Sequence, residues 1–301
     1  MRGLLDIESL DRPGIEAILD RARFFQPPPG ETYRRLEALR GKTIVNLFFE
    51  SSTRTRISFE IAARRLGAEI LSIAAQGSSV SKGESLVDTL NTLAAMRPHA
   101  IVMRHAASGA PQFLARHLQI PIVNAGDGTH EHPTQALLDA RTILDHRPGL
   151  EGLRVAIIGD IAHSRVARSN VHLLSKFGAD IVLCGPPSLV PRELEQLAPG
   201  VRLAYNMNEA LRDADVIMMH REQLERQHEA PMAAGEYFRF YGLRLEHLNL
   251  AKPDAIVMHP GPINRGRELS SEVADSQRSV ILNQVENGVA VRMAVLERVL
   301  G

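Results

Sequence analysis

The sequence predicts an α/β fold with two doubly wound parallel-sheet domains, each with helices on both faces. Three observations carry this. Strand, loop and helix patterns alternate along most of the chain. The strands are near-continuous apolar runs, as strands buried on both faces must be. The length of 301 residues exceeds what one hydrophobic core commonly fills, so two domains are expected.

Asp11 is placed to cap a first helix with Ile15, Ile18, Leu19 and Ala22 near helical spacing, and "QPPPGE" (26–31) then stops it. "KTIVNLFF" (42–49) reads as a buried strand, followed by "STRTR" and a helix through "SFEIAARRL" that ends at Gly67. "AEILSIA" is a strand, and after "QGSSVSKGE" comes the helix "SLVDTLNTLAAM". The strand "HAIVMRH", a short helix near "PQFLARHL", the strand "IPIVNA", the loop "GDGTHEHPTQ" and the helix "ALLDARTILDH" complete the first half. "HRPGLEG" (146–152) breaks the pattern and marks the domain boundary. "LRVAIIGD", "SRVARSNVHLLSKFG" and "ADIVLCGPP" then form a strand–helix–strand unit. The strands "VRLAYN", "ADVIMMH" and "DAIVMHP" follow, and the last helix, "GVAVRMAVLERVL", is amphipathic and suited to pack back on either domain.

Lys plus Arg and Asp plus Glu balance at 35 each, so there is no general basic field for nucleic acid or an anionic membrane. Anion selectivity must come from a local cluster. The single cysteine, Cys184, excludes an intrachain disulfide and a cysteine-based zinc cage, and fits a reducing, cytoplasmic compartment. Asp6, Glu8 and Asp11 interrupt the N-terminal stretch where a secretory signal needs an apolar core, and no run is apolar enough to span a membrane.

Open parallel sheets bind ligands at the carboxyl ends of their strands. There the first half offers Ser52, Thr53, Arg54, Thr55 and Arg56, then Ser78 and Lys82, then Arg104, then His132 and Gln135. The second half offers Arg165, Arg221, Gln223 and "HPGP". Backbone N–H groups at a helix start, Ser/Thr hydroxyls and arginine forks together make a phosphate cradle. The plainer reading of "STRTR" is an N-cap followed by exposed arginines. His132 at a helix start can donate to a carbonyl oxygen, or can be structural. "HEH" (130–132) has the form of a metal-hydrolase His-x-His, with His220 and His259 as conceivable further ligands but no matching later His and Asp at the expected strand ends. "VAIIGD" lacks a following G-x-G-x-x-G, which argues against a nicotinamide cofactor. Arg165 and Arg221 suit bidentate grip on carboxylates.

In order and spacing, "FFESSTRTRISFE", "SSVSKGES", "MRH", "GDGTHEHPTQALLD", "GDIAHSRVARSN", "MMHREQLER" and "MHPGPINRG" resemble the aspartate/ornithine transcarbamoylase family, above all its aspartate-using catalytic chains. The resemblance implies transfer of a carbamoyl group from carbamoyl phosphate to L-aspartate in pyrimidine synthesis, with no metal or other cofactor. It implies a carbamoyl phosphate domain, residues 1–146 completed by a C-terminal helix at 287–301, and an aspartate domain at 147–286. Ser52, Thr53, Arg54 and Thr55 would bind phosphate, with Ser78 contributing. Arg104 would hold phosphate and carbonyl oxygens, Thr55 and His132 would polarise the carbonyl, and Gln135 with the backbone of Gly261 and Pro262 would receive the carbamoyl NH2. Lys82, Arg165, Arg221 and Gln223 would hold aspartate. Ser78 and Lys82 would reach a neighbouring subunit's site, so the unit would be a homotrimer, with a regulatory chain or dihydroorotase as further possible partners. Domain closure would exclude water, and the loop from about Glu225 to Tyr241 is the expected moving part.

Two rival readings remain. The ornithine-using branch characteristically carries His-Cys-Leu-Pro where this chain has "HPGP", and Cys184 lies elsewhere, in a strand. A non-catalytic assembly scaffold would not need every mapped position filled. One departure from the family pattern is that His220 and Glu222 flank Arg221 where apolar residues are usual. Strand alternation points Glu222 away from Arg221.

Overall fold

The computed structural model describes residues 3–28, 30–33, 35–74, 86–223 and 232–301. Ser78, Lys82 and the part of the expected moving segment from Glu225 to Pro231 lie outside the described residues. By their contacts the residues group into two compact units, Met1–Arg141 with Glu286–Gly301, and Thr142–Val285.

The first unit begins with β1 (Gly3–Leu4) and α1 (Arg12–Phe25). The Asp11 carboxylate accepts the Gly14 N–H at 2.9 Å and so starts α1, which buries Ile15, Ile18, Leu19 and Ala22 along one face. Then come β2 (Thr43–Phe48), α2 (Thr53–Arg65), β3 (Glu69–Ala74), α3 (Leu86–Ala95), β4 (Ala100–His105), α4 (Ala110–His117), β5 (Ile122–Asp127) and α5 (Pro133–His146). The five strands pair in parallel in the order β1-β5-β4-β2-β3. Alternate residues Val45, Leu47, Ile101 and Met103 pack with Leu90 and Leu93 of α3 and Leu114 of α4. β1 is too short to show a period in the sequence. It forms because Gly3 adopts φ +142°, where a Cβ would stand 2.2 Å from the Ile122 carbonyl oxygen.

The second unit contains β6 (Arg154–Ile158), α6 (Arg165–Ser175), β7 (Asp180–Cys184), β8 (Arg202–Ala204), α7 (Met207–Leu211), β9 (Val216–Met219), α8 (Ala234–Tyr241), β10 (Ile256–Met258) and α9 (Ser271–Ala274). Short 3-10 turns stand at Arg192–Leu197 and Leu245–Asn249. Its strands are also parallel, in the order β10-β9-β6-β7-β8. Cys184 is buried in β7, and burial pushes its thiol up to about 12.

Both strand orders reverse once, between β2 and β4 in the first sheet and between β6 and β9 in the second. Right-handed crossovers put the helices before and after such a reversal on opposite faces of the sheet, and part the strand-end loops at that point.

The second half of the segment expected to be a moving loop is helical. Residues 234–241 are helix α8, whose Tyr237 is completely buried and whose Tyr241 belongs to the same core as Ala156, Ile217 and Val257. Aromatic side chains anchor this stretch, where the sequence pattern suggests part of a loop.

The last helix, α10 (Ile281–Leu300), starts at Ile281, before "GVAVRMAVLERVL". It packs on α1, α2 and α5. Glu297 accepts from Arg21 at 2.7 Å, Arg292 donates to the Ser58 hydroxyl at 2.8 Å, and Gly288 approaches Leu138 so closely that a Cβ would lie 3.2 Å from it. Burial lowers the Arg292 guanidinium to about 10, against the pull of Asp139. Among the described residues no helix is long and apolar enough to cross a membrane.

Candidate active site

In the first unit the loops after β5, β4 and β2 lie side by side at the carboxyl edge of the sheet. Helix α2 begins within "STRTR". Ser52 is its N-cap in extended backbone, yet the Ser52 side chain makes no capping hydrogen bond. The first helical bond runs from Arg56 N–H to the Ser52 carbonyl at 3.1 Å, so the amides of residues 53 to 55 precede the helical ladder. No acidic residue stands in this first turn. Thr53 and Arg54 are exposed, and Thr55 is buried. Arg56 pairs with Glu60 at 3.8 Å, and Glu60 accepts from Ser72 of β3 at 2.6 Å, which fixes the helix start against the sheet.

Arg104, near the end of β4, donates to the Ala125 carbonyl at 3.2 Å and forms an ion pair with Glu50. Its side chain is 11% exposed, and the guanidinium is held between the loop after β2 and the backbone of β5 with little room to swing. His132 is buried and immediately precedes α5, in which Gln135 is the third residue. Gln135 donates its NH2 to Asp139, one turn on, at 2.9 Å. That leaves the amide oxygen of Gln135 as an acceptor for an incoming NH2.

The turn that delivers His132 is organised by Asp127, which is fully buried. Its carboxylate accepts from Gly109 N–H at 2.6 Å, Asn124 Nδ2 at 2.8 Å and Glu131 N–H at 3.2 Å, and pairs with His130 at 3.1 Å. Burial opposes its ionisation, but the hydrogen bonds from His130, Asn124 and Gly109 outweigh burial and hold it below the usual carboxylate range. The bond to Asp127 in turn raises His130. Glu131 accepts the amides of Ile7 and Glu8 at 2.9 and 3.1 Å. His130 and Glu131 of "HEH" are thus engaged in building the turn, and among the described residues no group of three His, Cys, Asp or Glu side chains is arranged to hold a metal ion.

In the second unit, β6 and β9 flank the switch point. Gly159 ends β6 where a Cβ would lie 2.2 Å from the His220 carbonyl oxygen, so glycine lets the two strand ends close together. Asp160 is buried, accepting from His163 N–H at 3.2 Å and Gln223 N–H at 3.1 Å. Ser164 caps α6 by accepting Ala167 N–H at 3.1 Å, which places Arg165, 5% exposed, at the helix start. Gln223 donates its side-chain NH2 to the His163 carbonyl at 2.9 Å. Arg221 is half-buried between buried His220 and Glu222. The His220 ring contacts the Ser164 hydroxyl at 3.0 Å, and Glu222 pairs with Arg267 at 2.8 Å. After β10, Gly261 donates its N–H to His259 Nδ1 at 2.8 Å, and His259 Nε2 lies 3.2 Å from Glu268.

Ser52 to Thr55, Arg104, His132 and Gln135 therefore share one strand-end edge, and Arg165, Arg221, Gln223, Gly261 and Pro262 share another. Sequence reading assigned no role to Glu50, Asp127, Asp139, Asp160, Ser164 or Glu268. Of these, Asp139 at i+4 from Gln135 and Ser164 before a helix carry local signals. Glu268 carries none.

Residues 2–145 match the family model of the aspartate/ornithine carbamoyltransferase carbamoyl-P binding domain, and residues 151–299 that of the Asp/Orn binding domain. The chain is 77% identical over 299 residues to the aspartate carbamoyltransferase catalytic subunit of Solibacter usitatus, covering 99% of each chain. It is 54% identical to that of Koribacter versatilis, covering 99% of this chain and 97% of the relative. Among solved structures, aspartate transcarbamoylase from Trypanosoma cruzi in complex with carbamoyl aspartate and phosphate superposes with a TM-score of 0.87 at 33% identity, covering 99% and 96%. Ornithine carbamoyltransferase from Pyrococcus furiosus gives 0.86 at 30% identity, covering 99% and 97%. With both halves matched and relatives this similar along the whole length, the chain belongs to the aspartate/ornithine carbamoyltransferase family.

Proposed function

We propose that this protein is an aspartate carbamoyltransferase, transferring the carbamoyl group of carbamoyl phosphate to the amino group of L-aspartate. The observation that carries the choice of second substrate is the pair Arg165 and Arg221 at the β6/β9 switch point, two cations suited to a dicarboxylate and unsuited to ornithine's ammonium group.

The amine nitrogen of aspartate attacks the carbonyl carbon, the bond from that carbon to the phosphate oxygen breaks, and the amine's proton leaves with the phosphate. The products are N-carbamoyl-L-aspartate and phosphate. Ser52, Thr53, Arg54 and Thr55 bind the phosphate at the α2 N-terminus, where amide dipoles and the arginine charge act together. Arg104 holds phosphate and carbonyl oxygens, and Thr55 and His132 donate to the carbonyl oxygen as it gains charge. Each such preorganised donor is worth about 3 kcal/mol in the transition state. The Gln135 amide oxygen and the carbonyls of Gly261 and Pro262 take the carbamoyl NH2. Arg165, Arg221 and Gln223 hold the carboxylates of aspartate. The unit containing β2 thus serves carbamoyl phosphate, and the unit containing β6 serves aspartate.

The test is a colorimetric ureido assay with carbamoyl phosphate and either aspartate or ornithine. Product with aspartate alone is expected, EDTA should leave the rate unchanged, and product with ornithine alone would overturn the reading. The assembly is a homotrimer in which Ser78 and Lys82 serve a neighbouring subunit, a reading supported by the resemblance of "SSVSKGES" to the family pattern. Mixed trimers of Lys82→Ala and Arg54→Ala chains should regain activity through intact shared sites. Verified mixed trimers without any recovery would refute sharing, and solution mass tests the trimer and any regulatory or dihydroorotase partner.

A further inference from the structure

Residues 220 to 223 carry two of the proposed aspartate-binding side chains, Arg221 and Gln223, and two buried ones, His220 and Glu222. The β9/β10 ladder pairs residues only as far as Met218 with Met258. Beyond it, the two strand ends are joined through side chains. Glu222, whose side chain is fully buried, accepts from Arg267 Nε at 2.8 Å, while the Arg267 side chain is 21% exposed. Its neighbour Glu268 accepts the Asn264 N–H and contacts His259 Nε2, and His259 Nδ1 accepts Gly261 N–H. Two sets of polar contacts, Glu222 with Arg267 and Glu268 with His259 and Gly261, are joined by the peptide bond between Arg267 and Glu268, and together they link the residue between Arg221 and Gln223 to the Gly261–Pro262 turn.

Burying a carboxylate is costly, and an ion pair in the interior adds little net stability over a well-packed apolar pair of similar volume. Here the bond ties residue 222 to residue 267 across 45 positions of chain and so limits the relative movement of the two segments. Burial outweighs the bond from Arg267 and holds the Glu222 carboxyl above the usual carboxylate range, which lessens its opposition to an anionic substrate at Arg221.

We propose that Glu222 and Arg267 form a positioning pair of the aspartate half-site, holding Arg221 and Gln223 in register with the Gly261–Pro262 turn. Neither residue is a ligand of the substrate. The inference rests on the proposed carbamoyltransferase activity, and wild-type turnover is the control that separates the two: an inactive wild type would fail the functional reading, whereas an active wild type with unaffected variants would fail only this one.

The experiment compares Glu222→Ala, Arg267→Ala and the double variant by steady-state kinetics with aspartate, by carbamoyl phosphate half-saturation and by thermal unfolding. Each single variant should raise the aspartate KM by about tenfold or more, since small misplacements of substrate-holding groups are strongly felt. The carbamoyl phosphate half-saturation should change less than the aspartate KM, within about threefold, because its phosphate and carbonyl oxygens are held by Ser52 to Thr55, Arg104 and His132, and only its NH2 meets the Gly261–Pro262 turn. The double variant should be no worse than the poorer single, the signature of two residues acting as one unit. Arg267→Lys, which keeps the charge but not the planar fork, should fall between wild type and Arg267→Ala. If Glu222→Ala fails to fold, the two variants at the partly exposed Arg267 carry the test. Variants that lose thermal stability yet keep the aspartate KM within about twofold of wild type would overturn the proposal, as would single effects that multiply in the double variant.

Discussion

Replacing Asp127 by asparagine tests whether the turn before His132 is built as its geometry indicates. The carboxylate serves the Gly109 amide through one oxygen and Asn124 and the Glu131 amide through the other. Asparagine keeps the shape but turns one oxygen into a donor. In its less costly orientation the oxygen remains opposite Asn124 and Glu131, and the new NH2 confronts the Gly109 N–H. The losses are the charge-assisted bond to Gly109, about 1.5–3 kcal/mol, the cost of an unsatisfied buried donor, about 1–3 kcal/mol, and the negative charge that faces His130. A destabilisation of about 2.5–6 kcal/mol is therefore expected, a large fraction of the ~5–15 kcal/mol typical of a folded protein. Hydrogen exchange read at the Gly109 and Glu131 amides should accelerate by about two to four decades, at about 1.4 kcal/mol per decade.

The pH dependence has a definite sign. Because Asp127 is held below the usual carboxylate range when folded, its contribution is present above the unfolded value and is lost as pH falls through the folded one. The stability gap between wild type and Asp127→Asn should accordingly narrow in acid. Unchanged exchange at both amides at neutral pH, or a gap that widens in acid, would refute the reasoning.

Further outcomes follow from the same structure. Arg54→Ala should lower turnover by about 10²- to 10³-fold, as loss of a group that strengthens its grip while charge develops does; single-turnover rates would show it. Arg221→Ala should raise the aspartate KM strongly and leave carbamoyl phosphate binding, read by isothermal titration, nearly unchanged. His130 is raised by its bond to Asp127, so that contribution is present below the unfolded histidine value and lost as pH rises through the folded one. His130→Gln should flatten this loss in thermal unfolding measured across neutral pH.

Much of the fold was legible because parallel strands buried on both faces must be apolar runs, and "KTIVNLFF", "HAIVMRH" and "LRVAIIGD" each lie over an observed strand. The first helix was readable from Asp11 and a 3.6-residue apolar period, both of which act locally. β1 was not, since two residues have no period and its pairing depends on a strand more than a hundred residues away. The stretch that forms helix α8 was expected to be loop, and only the core that receives Tyr237 and Tyr241 anchors it as a helix.

The candidate site divides in the same way. Arginines, hydroxyls and a histidine after apolar runs declare themselves, because strand ends are the places where a parallel sheet exposes chemistry. So the sequence by itself determined the fold class and which side chains stand at the rim. It could not determine what holds them there. Glu50 beside Arg104, Asp127 beneath the turn to His132, and Arg267 beside Glu222 are separated from their partners by 54 residues, by 18 at the Gly109 contact, and by 45. Such pairings obey no local period. Only the strand orders β5-β4-β2 and β10-β9-β6 bring these groups together, and only burial at those edges makes each carboxylate require a partner.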